Sequence, residues 1–197
     1  EELHVEQIAL EKYEPMEPIE VPQGDLQRSV LGKQLLVKAG AFWQRHRSAP
    51  DTLAAQFLKL AVLKPGEHLL DLYGGVGLFS AVAIDKIGAG GRIDLIESSI
   101  PATESARQNF KAHQNVKIIR DDVAKALRNI KRADVVVLDP PRAGAGAEVV
   151  DQLLRINPSR IVYVACDPAT LARDVKQFTE NGWRLVQIDG YDLFPMT

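Results

Sequence analysis

Two periods of apolar positions, one typical of strands and one typical of helices, alternate along most of this chain. Short apolar runs that fit buried strands are each followed by a segment with helical spacing or helix-starting residues, and the order repeats five times. The expected strands lie in HLLDLYG, GRIDLIES, VKIIR, ADVVVLDPP and RIVYVAC, and the expected helices in LFSAVAIDKIG, PATESARQNFKAH, VAKALRNI, AEVVDQLLRI and PATLARDVKQFTENG. Strands that alternate with helices imply right-handed crossovers and a mostly parallel sheet. The pattern therefore predicts a doubly wound α/β fold.

Segments on either side of this repeat complete the prediction. Gly32 and Lys33 separate two apolar runs in SVLGKQLLVKAG, which indicates a hairpin, and a helix is expected between Pro50 and Pro65. The final stretch WRLVQIDGYDLF is expected to form a last strand. Residues 1–27 contain three prolines and no sustained period, so we expect a linker or the remnant of a preceding domain there, with the ordered domain at 28–197.

Composition and charge narrow the classes of protein. The chain has 197 residues, of which 46% are hydrophobic, and this suffices for a core. No apolar run approaches the roughly 20 residues that span a bilayer, and no secretory signal is evident, so a soluble cytoplasmic protein is expected. Residues 1–27 contain eight acidic residues and one lysine, which leaves 23 basic and 18 acidic residues in the remainder. This mild positive balance fits a polyanionic partner and fits a solvated surface equally well.

The ends of the predicted strands are the expected location of the ligand site, because parallel sheets bind ligands outside the carboxyl ends of their strands. In DLYGGVGLF, Gly75 and Gly77 allow a tight turn and a close approach to a ligand, and Glu97 can accept both ribose hydroxyls of an adenosine. Ser80 stands where a dinucleotide fingerprint needs its third glycine, whereas Asp71 before the glycines is typical of S-adenosylmethionine sites. The alternative is that the glycines only form the turn between a strand and a helix and bind no ligand.

The segment VVLDPPRAGAG ends a very apolar strand in Asp139, two prolines and Arg142. Because proline fixes its own φ, the two prolines stiffen the backbone and suit the wall of a site. Arg142 can bind a phosphate or pair with Asp139. Enzymes that methylate exocyclic amines tend to carry an aromatic residue after the double proline, so Arg142 argues against such an acceptor.

Cys166 is the only cysteine, which excludes an internal disulfide and a four-cysteine metal site, and the histidines show no metal-ligand spacing. No metal is therefore expected. A lone cysteine after an apolar run is often a buried core residue. Here Asp167 and Pro168 resemble the N-cap and first residue of a helix, and a helix N-terminus favours the nucleophilic thiolate. The Asp167 charge opposes that effect.

The segments FWQ, DLYGGVGLFS, LIES, VVLDPPRAGAG, VYVACDPATLARDV and DLFPMT occur in the order and approximate spacing of one family. Over residues 28–197 the chain resembles the catalytic domain of the RNA uracil-5-methyltransferases, particularly their actinobacterial branch. These enzymes make 5-methyluridine in transfer or ribosomal RNA. The resemblance implies a Rossmann-like class I methyltransferase fold, S-adenosylmethionine as cofactor, RNA as partner and a monomeric enzyme.

The resemblance also implies roles for individual residues. Cys166 matches the family's nucleophile, and Arg142 and Arg173 are expected to contact RNA. S-adenosylmethionine is expected to contact Gln44, Asp71, Tyr73, Gly75, Gly77, Leu78, Glu97, Asp122 and Asp139. Uracil C5 is too weak a nucleophile to take a methyl group directly, whereas thiolate addition at C6 makes C5 enolate-like. The base must first leave its stack, and a general base must finally remove the C5 proton.

Departures from the family pattern leave alternatives open. Gly74 stands where the family usually has cysteine, and the small RNA-binding barrel and iron–sulfur cysteines of many relatives are absent from this sequence. The DLFPMT motif normally continues to a glutamate that is the general base, so a fragment with poor turnover is expected. The alternatives are a methyltransferase with another acceptor, a cofactor- or RNA-binding module without turnover and, disfavoured by Ser80, a nicotinamide oxidoreductase.

Overall fold

A computed structural model describes residues 24–192 as an antiparallel hairpin followed by a five-stranded parallel sheet with helices on both faces. The hairpin strands are β1 (Leu26–Val30) and β2 (Lys33–Val37), and the sheet strands are β3 (His68–Leu72), β4 (Arg92–Glu97), β5 (Val116–Arg120), β6 (Val135–Leu138) and β7 (Arg160–Tyr163). The helices are α1 (Ala49–Ala61), α2 (Leu78–Ile87), α3 (Ile100–Asn109), α4 (Val123–Leu127), α5 (Ala147–Ile156) and α6 (Pro168–Glu180). The predicted doubly wound α/β fold is confirmed.

Two apolar clusters, one on each face of the sheet, hold the layers together. One cluster joins the hairpin, α1, α2 and α3 to strand residues such as Leu69 and Val137. The other joins α4, α5 and α6 to the strand residues Leu70 and Leu138, which point to the opposite face because strand side chains alternate. Burial on both faces explains why the strand sequences are continuous apolar runs instead of alternating ones.

The order of the strands in the sheet is β5, β4, β3, β6, β7. The chain therefore leaves β3 toward one edge and returns to β6 on the other side of β3. A crevice forms where the winding reverses in this way, and ligands bind there in open α/β sheets. Leu72 pairs with Leu138, so the carboxyl ends of β3 and β6 lie side by side at this reversal.

The predicted hairpin is confirmed, with Leu31 and Gly32 both at positive φ in its turn, 44° and 82°. Such a turn matches the twist of the two strands. Strand β1 starts at Leu26, two residues before the expected start of the ordered domain. The expected linker at 1–27 lies almost entirely outside the described residues.

The predicted last strand is wrong for residues 183–192, which form no strand pairing in the structure. Strand β7 is the edge of the described sheet, and these residues do not pair with it. Val186 and Ile188 are 80% and 70% exposed, so the apolar side chains that suggested a buried strand have no core to enter here. Trp183 instead packs edge-on against Phe178, with ring centroids 5.8 Å apart. An apolar segment therefore does not by itself predict a strand, because a strand also requires a neighbouring strand with which to pair.

Candidate active site

The loop after β3 makes a tight turn that brings the backbone to the reversal of the sheet. Tyr73, Gly75 and Gly77 have φ values of 57°, 56° and 98°, all in the left-handed region. A bulky residue such as Tyr73 adopts that region rarely, and such strain is concentrated at functional sites. A side chain at Gly77 would overlap the ring of Phe110, so both conformation and space require glycine there. Gly77 is also the N-cap of α2, whose first residue Leu78 enters the core.

Gly74 has a physical reason to differ from the cysteine that the family usually carries. A side chain at this position would place its Cβ 2.6 Å from Leu95 Cγ and 3.1 Å from Asp71 Cγ. The leucine on the neighbouring strand thus occupies the space, and glycine lets the loop approach β4 closely. The Gly74 amide donates to the carbonyl of Ile96 at 3.1 Å, which fixes this approach.

Asp71 is fully buried beneath the glycine loop. Its Oδ2 accepts hydrogen bonds from the Ser80 amide at 3.0 Å and the Ser80 hydroxyl at 2.6 Å. Its Oδ1 has no hydrogen-bond partner among the described residues. Burial raises the pKa of Asp71 to about 7, with a further contribution from the charges of Asp139 and Glu97, although the bonds from Ser80 oppose the rise. Asp71 is therefore a carboxylate that would gain from a nearby cation.

Glu97 ends β4 and is bound to the glycine loop through its side chain. Its Oε2 accepts from the Gly75 amide at 3.0 Å, and its Oε1 accepts from the Ser99 amide at 2.7 Å. A carboxylate has about four acceptor positions. Glu97 can therefore orient the loop and still accept further hydrogen bonds from a ligand.

Asp139 follows β6 and is the third carboxylate at this crevice. Burial raises its pKa to about 6. The Gln44 amide donates to Asp139 Oδ2 at 3.2 Å, which joins the segment after the hairpin to the sheet. The alternative that Arg142 pairs with Asp139 finds no support, since no ion pair joins them within residues 24–192. The site thus combines Gln44, a turn from the β3–α2 loop and one carboxylate from the carboxyl end of each of three strands.

Asp122 lies after β5 at the outer end of this row. Its side chain caps α4 by accepting from the Lys125 amide at 3.1 Å. Burial and the Asp122 charge raise the pKa of Tyr73 to about 12, so the two residues are close enough to interact electrostatically. Tyr73 therefore lies within electrostatic range of both Asp122 and Asp174.

Cys166 lies three residues beyond the end of β7 and is exposed. The Val164 amide donates to the carbonyl of Leu138 at 2.8 Å, so the segment that leads to Cys166 runs beside the residue that precedes Asp139. Asp167 is the N-cap of α6, as expected, and accepts from the Thr170 amide at 2.7 Å. The hydrogen bonds from Thr170 lower the pKa of Asp167. The thiol is thus presented to solvent at the carboxyl end of the sheet and not buried as a core residue.

The two arginines expected to contact RNA differ in their surroundings. Arg142 is exposed and forms no salt bridge with any acidic side chain that the structure describes. Arg173 bonds through its guanidinium to Asp174 at 2.7 Å and to the carbonyl of Ala143 at 2.9 Å. Arg142 therefore forms no salt bridge within residues 24–192, although its charge contributes to the lowered pKa of Asp167, whereas Arg173 is paired with Asp174.

Three polar residues that shape this site have roles that the sequence pattern does not indicate. Ser80 departs from a glycine fingerprint, yet in the structure it is the hydrogen-bond partner of Asp71. Asn109 accepts from the Leu36 amide at 2.8 Å and donates to the carbonyl of Val76 at 3.0 Å, which joins the hairpin to the glycine loop. Asp174 holds the loop after Asp139. Helical periodicity indicates which residues are buried, but it does not indicate which distant backbone group a buried polar residue will bond.

The described part of the chain contains neither a metal-binding cluster nor a helix suited to span a membrane. Residues 24–192 contain no group of three or more His, Cys, Asp and Glu residues that could hold a metal ion. In the same range, no helix combines the length and the apolar character needed to cross a membrane.

Comparisons with known proteins agree with this arrangement. The model of the tRNA (Uracil-5-)-methyltransferase family matches residues 53–197. An uncharacterized RNA methyltransferase of Streptomyces avermitilis is 43% identical over 168 residues, which are 84% of this chain and 39% of that protein. An uncharacterized RNA methyltransferase of Thermotoga maritima is 39% identical over 160 residues, 80% of this chain and 36% of that protein. The chain thus spans less than half the length of these relatives.

Solved structures give the same result for the fold. The tRNA (uracil-54, C5)-methyltransferase of Pyrococcus abyssi, solved in complex with S-adenosyl-L-homocysteine, superposes with a TM-score of 0.67 and 30% identity. The superposition covers 78% of this chain and 38% of that one. A SAM-dependent O-methyltransferase of Thermotoga maritima, at 18% identity and a TM-score of 0.57, shares the fold alone. The expected Rossmann-like methyltransferase fold is confirmed. The family match over most of the chain settles its membership, and the chain belongs to the tRNA (uracil-5-)-methyltransferase family.

Proposed function

We propose that this chain is the catalytic part of an S-adenosylmethionine-dependent RNA methyltransferase that forms 5-methyluridine in transfer or ribosomal RNA, with Cys166 as its nucleophile. The observation that carries the proposal is an exposed thiol beside the carboxylate-lined crevice of the sheet. A buried thiol would have indicated a packing role. The expected monomeric state and cytoplasmic location stay predictions.

The residues at the crevice fit S-adenosylmethionine. Asp71 has a buried carboxylate oxygen with no partner among the described residues, which suits a cationic ligand. Glu97 retains acceptor positions for ribose hydroxyls, and the turn at Gly75 leaves open space for a close approach. Gln44, Tyr73, Gly77, Leu78, Asp122 and Asp139 complete the proposed set. When bound, this cofactor supplies the methyl group that uracil C5 takes up.

The chain's own contribution begins at Cys166. Its thiolate forms an Sγ–C6 bond with a uracil that has left its stack, and the C5–C6 π electrons move to C5 and the C4 carbonyl. After C5 has been methylated, a general base takes the C5 proton. The electron pair of the broken C5–H bond restores the C5–C6 double bond, the Sγ–C6 bond breaks, and its electrons return to sulfur. The exposed position of Cys166 permits this access, and Arg142 can bind the adjoining RNA phosphate.

A fluorinated substrate tests this proposal. With fluorine at C5 there is no proton to remove, so the Sγ–C6 bond persists and the protein stays attached to the RNA. We expect a denaturation-resistant complex with tRNA or ribosomal RNA fragments transcribed with 5-fluorouridine, in the presence of S-adenosylmethionine. Cys166→Ala should form none, whereas Ser159→Ala, just before the opposite end of β7, should behave as wild type. Full methylation of uridine by Cys166→Ala would refute the role of this cysteine and favour another acceptor chemistry.

A further inference from the structure

The loop at 139–146 lies against one face of α6 and is hydrogen-bonded to it. Thr170, Arg173 and Asp174 share this face, because residues three and four positions apart are neighbours on a helix. We call these three residues, together with Tyr163 of β7, the α6 clamp. Two of its members, Arg173 and Asp174, end the CDPATLARD segment that begins with the proposed nucleophile.

Asp174 is the centre of the α6 clamp and is 1% exposed. Its Oδ2 accepts from the backbone amides of Ala145 and Gly146, at 2.8 and 3.3 Å, and from the Tyr163 hydroxyl at 2.8 Å. Its Oδ1 accepts from the Arg173 guanidinium at 2.7 Å. Burial alone would raise the pKa of Asp174, but the hydrogen bonds from Tyr163 and Arg173 outweigh it and lower the pKa. Because two of these donors are amides of the loop, the Asp174 carboxylate binds the 139–146 loop to α6.

The other clamp contacts reach the earlier part of the loop. The Thr170 hydroxyl donates to the carbonyl of Arg142 at 3.1 Å, and Arg173 Nη2 donates to the carbonyl of Ala143 at 2.9 Å. The residue between these contacts and those of Asp174 is Gly144, and a side chain there would collide with the clamp. Five successive residues of the loop, 142–146, are therefore fixed, either by a hydrogen bond or by the lack of space.

Helix α6 connects this loop to the nucleophile. The helix starts at Pro168, two residues after Cys166, and the loop starts at Asp139 in the carboxylate-lined crevice. Fixing the loop on the first two turns of α6 therefore fixes Asp139 and Arg142 relative to Cys166. Displacement of reacting groups by about 1 Å can cost about a hundredfold in rate.

We propose that Asp174 is a positioning residue of the uracil-methylating reaction, which holds the 139–146 loop in register with Cys166, and that Arg173 serves this clamp and not the RNA. This inference rests on the proposed function. It changes the role expected for Arg173 and leaves Arg142 as the arginine that contacts phosphate.

One test measures the clamp without any reaction. Asp174→Asn keeps the shape of the side chain but removes its charge and turns an NH₂ group toward the donors. Trypsin should then cleave after the exposed Arg142 about tenfold faster than in wild type, relative to cleavage after Lys131, because the loop opens more often. The matched control is Asp151→Asn, which removes the charge of a carboxylate that accepts from Gln177 of α6 at a place distant from the loop. Wild-type cleavage after Arg142 in Asp174→Asn would overturn the proposal.

A second test measures the reaction per folded molecule. With saturating 5-fluorouridine RNA and S-adenosylmethionine, Asp174→Asn should form the Cys166 adduct about 10- to 100-fold more slowly than wild type. A residue that merely stabilises the fold would change the melting temperature and not this rate. An adduct rate within about twofold of wild type would overturn the proposal. If Asp174→Asn does not fold, Tyr163→Phe serves instead, because it removes only the hydroxyl that donates to Asp174. This variant should form the adduct at least about threefold more slowly.

The role of Arg173 is tested by the salt dependence of RNA binding. Arg142→Gln should reduce the slope of log affinity against log salt by about one phosphate contact, whereas Arg173→Gln should leave it unchanged. Equal reductions would assign Arg173 to the RNA and overturn its place in the clamp. If the wild-type protein forms no adduct with either class of RNA, the proposed function is wrong. The trypsin cleavage rates and the salt dependence of RNA binding still show whether Asp174 and Arg173 hold the loop.

Discussion

Asp71 allows a sharp prediction because the fold buries its carboxyl group completely and leaves one oxygen without a partner among the described residues. Its pKa is raised from 3.8 to about 7, mainly by burial. The unfolded chain therefore loses this proton near pH 4, whereas the folded chain retains it until about pH 7. Between these values the folded state binds more protons, so the free energy of unfolding falls as pH rises. Asp71→Asn removes this titration while its amide oxygen can still accept from Ser80.

The magnitude follows from the size of the shift. Each unit of pKa difference corresponds to about 1.4 kcal/mol, so a rise from 3.8 to about 7 amounts to about 4 kcal/mol once both states are ionised. Between about pH 4.5 and pH 8 the wild type should lose about 3 kcal/mol that the variant does not lose. For a domain of this size the difference corresponds to about 6 to 12 °C in melting temperature.

The assay is urea unfolding of both proteins without cofactor, at about pH 4.5, 6, 7 and 8 and constant ionic strength. Titrating groups that do not interact with Asp71 are common to both proteins and cancel, so the difference measures Asp71 together with its coupling to Asp139 and Glu97. The Asp71→Asn variant gains a buried, unpaired NH₂ group, which lowers stability by a similar amount at every pH and leaves the slope unaffected. A difference between the proteins that stays constant within about 1 kcal/mol across this range would show that the pKa of Asp71 is not raised by folding.

Two further substitutions test how the crevice is built. Glu97→Ala should weaken binding of S-adenosylhomocysteine by about 10- to 100-fold in calorimetry, because it removes acceptors for the ribose hydroxyls. The control Glu104→Ala, at an exposed position, should leave the affinity unchanged. Unchanged affinity in Glu97→Ala would show that Glu97 does not bind the ribose. Asn109→Ala should lower the free energy of unfolding in urea by about 2 to 3 kcal/mol, because it leaves the Leu36 amide and the Val76 carbonyl without hydrogen-bond partners. A loss below about 0.5 kcal/mol would show that Asn109 does not join the hairpin to the glycine loop in this way.

The sequence predicted the layers of this fold well, because burial on both faces of a parallel sheet leaves continuous apolar runs between helices. It also placed Cys166 and Asp139 at the carboxyl edge of the sheet, since that edge follows from strand direction alone. The failure at residues 183–192 has a physical cause. Val186 and Ile188 look like strand residues, but pairing depends on a neighbour that local sequence does not specify.

The polar contacts of the site were much less predictable. Ser80 and Asp71 are nine positions apart and meet only because α2 returns over the end of β3. Asp174 and Ala145 are 29 positions apart and meet through the packing of α6 on the loop. Such contacts depend on the distance between elements, and periodicity carries no information about that distance. They are also the contacts that orient the proposed catalytic groups.

The most direct test of the central claim is mass spectrometry of the protein after reaction with 5-fluorouridine RNA and S-adenosylmethionine. Trypsin cleavage after Arg160 and Arg173 releases the peptide 161–173, which contains the only cysteine of the chain. We expect this peptide to carry a methylated 5-fluorouridine nucleotide on Cys166. An unmodified peptide from a protein that nevertheless methylates the same RNA when it is transcribed with ordinary uridine would contradict the role of Cys166.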